Sequence, residues 1–368
     1  EKKALKQNKS LNEGEAAKGL GYAQFKRWEA FWEPRVYPSG IRPSPTVLWQ
    51  AQFSSSNKTG STGNSGSWEA IGPFDAPNPS NSPYPGIGRI NCITFDPVNH
   101  NTLWVGTPAG GLWKSTDGGV NWSTNTDHLA NLGISAIAID PVHPDTMFIA
   151  TGDRDGGDTY SYGVLKSTDG GETWNTTGLS FSVSQTIRAG GLYINPLNTE
   201  IVVAATRNGI YRTTNGGTTW TGIQSGTFNM LAPDPSNPNK IFAGTTGTTR
   251  IWRSTDFGAS WTQLSSGLPS ININRVEIVV SPQDSNYVYA VYSASNNGFG
   301  GLYQSTDGGD TWTQKSSTPN ILGSNASGNG SGGQGWYDLA IAVSPTNKNQ
   351  VFVGGVNLWR SNNQGGGW

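Results

Sequence analysis

Three carboxylates fall within six residues of the segment TGDRDGGDTYSYG at 151–163: Asp153, Asp155 and Asp158. Oxygen donors this close together in a glycine-containing turn suit a hard cation such as Ca2+. Their spacing departs from the EF-hand loop, and a solvated acidic loop is the plainer reading of the same residues. Tyr160 and Tyr162 follow at once, and the pair Trp336–Tyr337 comes after the Gly/Ser-rich stretch 322–335. Aromatic faces of this kind can stack on sugar rings or pack at a rim. His100, His128 and His143 stand at no metal-ligand spacing and read as surface residues. The single cysteine, Cys92, lies in the apolar run GRINCITF and reads as a small buried hydrophobe, so no intrachain disulfide forms. There is no phosphate loop, Cys–His pair or Gly-x-Ser-x-Gly elbow. Apart from the possible Ca2+, no cofactor is implied.

The elements that must position these residues are set by a repeated eight-residue box. It reads STDGGVNW at 115–122, STDGGETW at 167–174, TTNGGTTW at 213–220, STDFGASW at 254–261, STDGGDTW at 305–312 and SNNQGGGW at 361–368. An eroded copy without the acid, STGNSGSW, occupies 61–68. Box starts are separated by 41 residues (213 to 254) up to 56 (305 to 361), the size of a four-stranded propeller blade. Before each box lies a short strand such as GLWK or GIYR, before that another such as TLWVG or IVVAA, and earlier still one ending in a turn, such as ITFDP or IAIDP. Short β-branched and aromatic strands punctuated by tight turns form consecutive antiparallel sheets. The expected fold is all-β, a propeller of four-stranded antiparallel blades. About six are visible, the last truncated at Trp368, so a gap or unpaired edge is expected.

Each box position has a physical task. The acids Asp117, Asp169, Asp256 and Asp307 can accept backbone N–H bonds within the turn, and Asn215 and Asn363 can do so without charge. The glycine at the fifth position permits positive φ. The closing Trp122, Trp174, Trp220, Trp261, Trp312 and Trp368 can bury ~150–250 Å² each between blades. Six equivalent turns cannot all be one active site, so these acids read as structural.

Residues 1–52 form a different unit, a helical extension. From Asn12 to Trp32 the residues Leu20, Phe25, Trp28, Phe31 and Trp32 recur at helical steps, and Glu33-Pro34 marks the expected stop. Residues 53–66 are Ser, Asn, Gly and Thr rich and read as a flexible linker, leaving 67–368 for the propeller. Charged residues make up 13% of the 368, about half the ~25% usual in soluble domains, and the net charge is −1. A nucleic-acid partner would call for a clustered basic face, and none is present. No apolar run reaches the ~18 residues of a membrane span.

The box S-x-D-x-G-x-x-W resembles the Asp-box, or BNR, repeat of sialidases, sortilin-like (VPS10) receptors, photosystem assembly factors and two-propeller xyloglucanases. The segment GYAQFKRWEAFWEPRVYPSG followed by this array resembles secreted Bacteroidetes proteins with sortilin-like propellers. That resemblance implies a secreted or cell-surface location and type IX export through a sorting domain not present in this chain. In xyloglucanases of this architecture the loop after the second strand of the first blade reads T-D-x-G-G, with a catalytic Asp. The matching stretch here is Thr107-Pro108-Ala109-Gly110-Gly111, with proline in the acid's place. Sialidases hold a substrate carboxylate with an arginine triad. Arg89, within Arg89-Ile90-Asn91, partly matches its first motif, while Arg188 and Arg275 stand near the starts of inner strands. Each also reads as an ordinary rim cation.

These observations lead to the expectation of a non-catalytic binding or scaffold propeller for a glycan or protein. Its candidate ligand residues are Asp153, Asp155, Asp158, Tyr160, Arg89, Arg188, Arg275, Trp336 and Tyr337. The alternative is a glycoside hydrolase, sialidase- or xyloglucanase-like, using carboxylates on the loop face of the propeller.

Overall fold

The computed structural model describes residues 88–247, 250–270 and 273–368, together with 26, 28–30, 32–33 and 36 near the N-terminus. The chain divides into two compact units, Glu1–Gly66 and Ser67–Trp368. In the first, the described residues are all helical, including Val36, which lies past the stop expected at Glu33-Pro34. The linker at 53–66 and the eroded box at 61–68 lie outside the described residues. No helix among the described residues is long and apolar enough to cross a membrane.

The second unit is a β-propeller of six blades. Among the described residues five are four-stranded antiparallel sheets and the sixth, ending at Leu358–Ser361, has three strands. Each blade runs in chain order from an inner strand outward, as at Ile134–Ile139, Met147–Thr151, Gly163–Ser167 and Asn175–Ser180 in blade two. The second strand of a blade is sandwiched between two neighbouring blades, so both its faces are apolar: Met147–Thr151, Val202–Thr206 and Ile241–Thr245 are buried throughout. Outer strands carry the polar residues. The turn after the first strand is capped by its own side chain, with Asp96, Asp140, Asn195 and Asp234 each accepting the N–H two residues on, at 2.8–2.9 Å.

The box chemistry recurs in all six blades. The first-position hydroxyl bonds the third-position side chain, as in Ser167 Oγ to Asp169 Oδ1 at 2.7 Å and Ser361 Oγ to Asn363 Oδ1 at 2.8 Å. That hydroxyl also accepts the fifth-position N–H, at 2.9 Å from Gly171. The fourth-position N–H reaches the turn between the first two strands, as in Gly170 to the Asp145 carbonyl at 2.9 Å and Gln364 to Asn349 at 2.8 Å. Gly171 sits at φ +87°, which explains the glycine.

Hydrogen bonds from the Thr173 hydroxyl and N–H, with Ser167, hold the Asp169 carboxyl down to about 2 from its ordinary 3.8. Asp307 is held lower still by Ser305 and Thr311. A depressed carboxyl contributes stability above its unfolded value and loses it as pH falls through the folded one. The denaturation midpoint should therefore drop between about pH 4 and 2. Asp169→Asn should flatten part of that drop, because Asn215 serves the same turn without titrating. A midpoint independent of pH in this range, or unaltered by the substitution, would show that the acids add nothing to the turn.

Apolar clusters join each successive pair of blades, from blades one and two (Trp104, Leu112, Ile137, Ile149) to blades five and six (Tyr289, Val291, Val351, Val353). Box tryptophans pack toward the preceding blade, as Trp174 does against the first cluster and Trp312 against that of blades four and five. They are not equally covered: Trp312 is 4% exposed and Trp122, in blade one, 38%. Among the described residues no cluster joins blade six to blade one. On blade one Ile93 and Phe95 are 56% and 53% exposed, and on blade six Leu358 is 77% exposed.

Candidate functional site

The segment at 151–163 joins the second and third strands of blade two and meets residues of blades one, three and five at one end of the inner strands, the mouth of the propeller. Its shape comes from its own residues. Asp153 accepts N–H bonds from Asp155 at 3.2 Å and Asp158 at 3.0 Å, and its own N–H donates to the Thr159 carbonyl at 2.9 Å. Gly157, at φ +75°, lies so close to Arg188 that an added Cβ would stand 2.1 Å from its Nη2. The Thr159 hydroxyl bonds the Pro108 carbonyl at 2.7 Å, and Asn131 Nδ2 bonds the Tyr160 carbonyl at 2.6 Å, anchoring the loop to blade one and its connection to blade two.

The loop's acids meet arginines from around the ring. Arg89, ahead of blade one, reaches Asp153 at 2.7 Å and Asp158 at 3.3 Å. Burial would raise the Asp153 carboxyl, but the Arg89 hydrogen bond and the two loop N–H donors outweigh it and hold the group below its ordinary range. Asp155 lies 2.9 Å from Arg275 of blade five and 3.4 Å from Arg154. The Arg275 contact is ionic, off hydrogen-bond geometry, because that guanidinium is already aimed elsewhere. It bonds Glu277 at 2.6 and 3.1 Å and the carbonyls of Tyr337 at 3.0 Å and Trp336 at 3.3 Å. Arg154 bonds the Gly190 carbonyl of blade three at 3.3 Å, and Arg207 bonds the Arg154 carbonyl at 2.9 Å. One loop thus links blades one, two, three and five, and Arg275 extends the link to the segment ahead of blade six.

Asp338 completes the cluster. Burial pushes its carboxyl up to about 6, with Asp155 adding to the rise and Arg275 opposing it. Its Oδ1 is buried without a hydrogen-bond partner. Beside it Trp336 is exposed and its ring lies 4.3 Å from that of Tyr337. Arg89 sits 5.7 Å from the Tyr337 ring centre, and Arg188 5.8 Å from that of Tyr160.

The structure therefore gathers Asp153, Asp155, Asp158, Tyr160, Arg89, Arg188, Arg275 and Tyr337 at one mouth, with Trp336 at its edge. It corrects three expectations. The Asp153–Asp155–Asp158 set does not form a Ca2+ site: no group of three acid, His or Cys side chains is placed to hold a metal among the described residues, and arginines neutralise the acids instead. Tyr162 belongs to the core of blades one and two, not to a sugar platform. Arg275 is no rim cation, being 2% exposed. Cys92 is half-buried, with its thiol pushed up to about 12 by burial, so it is no nucleophile. The three histidines are exposed.

Sequence reasoning missed Arg154, Arg207, Glu277 and Asp338. Glu277 had a signal: in INRVEIVV a lone acid interrupts an apolar inner strand two residues after Arg275, which puts both on one face. A separate hollow of about 670 Å3 beside Phe299, Pro319, Asn320 and Ser331 has no titratable side chain and offers no acid–base chemistry.

Residues 208–321 match the Sortilin-Vps10 family (Sortilin, neurotensin receptor 3). A xyloglucanase from a Paenibacillus species is 27% identical over 240 residues, covering 62% of this chain and 21% of that protein. The xyloglucanase Xgh74A of Acetivibrio thermocellus is 26% identical over 303 residues, covering 77% of this chain and 32% of that protein. The chain thus spans only about a fifth to a third of the length of these curated relatives. In fold, the crystal structure of an ancestral GH74 enzyme superposes with a TM-score of 0.57 at 19% identity, over 74% of this chain and 36% of that one. The xyloglucanase relatives overturn the expectation of a non-catalytic binding or scaffold module and favour its alternative, a glycoside hydrolase.

Proposed function

We propose that this propeller is a glycoside hydrolase domain acting on a xyloglucan-type glycan at the channel-mouth face. The observation that carries the reading is the match to xyloglucanases, which extends over as much as 77% of the chain. Glycosidases use one protonated carboxyl as acid and a second carboxylate as base or nucleophile. In this mouth Asp338, pushed up to about 6, suits the acid. Asp158, exposed and paired among the described residues with Arg89 at 3.3 Å, suits the second role. Asp153 and Asp155 are committed to arginines and act as positioning residues. Pro108 cannot exchange a proton, so blade one's usual acid position takes no part, and its carbonyl instead holds the loop.

Reducing-end release from xyloglucan tests this. Asp338→Asn and Asp158→Asn should each lower kcat by about 10²–10⁴-fold. A proton donor must be protonated, so activity should fall as pH rises through about 6, and Asp338→Asn should abolish that limb. Wild-type rates in both variants would remove the assignment, and no release from any β-glucan would remove the activity.

We further infer that the protein works outside the cell, exported by a type IX route, on the resemblance carried by residues 21–40. Detection in the medium or on intact cells is the corresponding observation.

A further inference from the structure

Blade three supplies two arginines that form no ion pair among the described residues. Arg188 precedes the inner strand Ala189–Ile194 and Arg207 follows the second strand Val202–Thr206. The Arg207 N–H donates to the Arg188 carbonyl at 2.8 Å, so the two side chains leave neighbouring points of one strand pair. Four acids of the mouth pair with other arginines, Asp153 and Asp158 with Arg89, Asp155 with Arg275 and Arg154, and Glu277 with Arg275, while Asp338 forms no ion pair among the described residues. Among the described residues the Arg207 side chain donates one bond, to the Arg154 carbonyl, and its Nε is buried without a partner. Burial, then the like charges of Arg188 and Arg275, push it down to about 10, and the attraction of Asp155 and Asp153 does not offset them. Arg188 has no ion pair among the described residues and lies over the Tyr160 ring. Arg89 Nη1 is also buried without a partner.

Two like-charged guanidinium groups facing one mouth, with donors unused, can take an anion. A planar carboxylate matches the guanidinium fork. The aromatic rings of Tyr160 and, across the loop, Tyr337 offer apolar faces of the kind that pyranose rings pack on. We propose that Arg188 and Arg207 bind the carboxylate of an acidic sugar, a uronic acid unit, with Tyr160 beneath its ring. The proposal rests on the glycan-acting reading above and specifies the substrate as one bearing acidic residues.

Calorimetric titration with glucuronic acid, glucose and inorganic sulfate tests it, on the full chain. Glucuronic acid should bind about ten- to a hundredfold more tightly than glucose, the range of charge-assisted hydrogen bonds. Arg207→Gln and Arg188→Gln, each checked for an intact melt, should lose that preference, and Arg207→Lys should keep part of it. Equal affinity for glucuronic acid and glucose overturns the proposal, as does a preference that survives both glutamine variants. Sulfate binding as tightly as glucuronic acid also overturns it, since the sugar would then contribute nothing. Acid-selective binding without cleavage of any glycan would sink the hydrolase reading alone. Cleavage of neutral xyloglucan with no acid preference would sink this proposal alone.

Discussion

Arg275→Met should destabilise the propeller by about 3–5 kcal/mol, because it strands buried charge. The guanidinium is 2% exposed and touches both Asp155 and Glu277. Removing it leaves Glu277 buried and unpaired and Asp155 with Arg154 alone at 3.4 Å, and two backbone carbonyls, of Trp336 and Tyr337, lose a donor. Arg89→Met is the internal comparison. Arg89 is partly exposed and one of its partners, Asp158, is in water, so solvent can take over and the loss should be nearer 1 kcal/mol. Urea denaturation of the two variants distinguishes them. A loss for Arg275→Met no larger than that for Arg89→Met would show that the pair across the channel is not a brace. Replacing Asp155 and Arg275 together by apolar residues should recover part of the loss, since the desolvation cost disappears with the charges.

The contrast between these arginines shows what the sequence discloses. Blade count, strand order and box turns are legible because each rests on local chemistry: an Asp or Asn three residues into the box, a glycine at positive φ, a period near that of a blade. The loop at 151–163 is legible as unusual by its length and its acids. Its partners are not, because Arg89 and Arg275 stand 64 and 120 residues away (153 less 89, 275 less 155) and meet it only through curvature of the ring. Three acids in a short turn satisfy the pattern for a cation equally well whether Ca2+ or guanidinium fills the role. Asp338 was hidden differently. Nothing in WYDLA distinguishes it from a surface acid, and its raised carboxyl follows from burial beside blade five. The unequal burial of the box tryptophans is likewise a property of neighbours, since the motif is the same at Trp122 and Trp312.

That inequality fixes the second large effect. Trp312→Ala should cost about 3–5 kcal/mol, the range for removing a large buried aromatic. Its indole packs in the cluster of blades four and five with Phe242, Tyr292 and Tyr303, and its Nε1–H bonds the Gly309 carbonyl at 3.1 Å. Collapse around the vacated space is resisted by backbone: Gly267 touches Trp312 so closely that an added Cβ would lie 1.8 Å from its carbonyl oxygen. Trp122→Ala removes the same residue from the same motif, with an equivalent Nε1–H bond to Gly119 at 2.9 Å. Among the described residues no blade covers its outer side, so its cost should be about 1 kcal/mol. Asp169→Asn, at neutral pH, should cost least of the three, because Asn215 makes the same turn bonds from Thr213 and Thr219 at 2.9 Å each. The denaturation midpoints should rank in that order. Equal losses for Trp122 and Trp312 would mean that the box tryptophan stabilises its own turn and not the contact between blades. A loss for Asp169→Asn as large as that for Trp312→Ala would give the acid a task that the turn geometry does not explain.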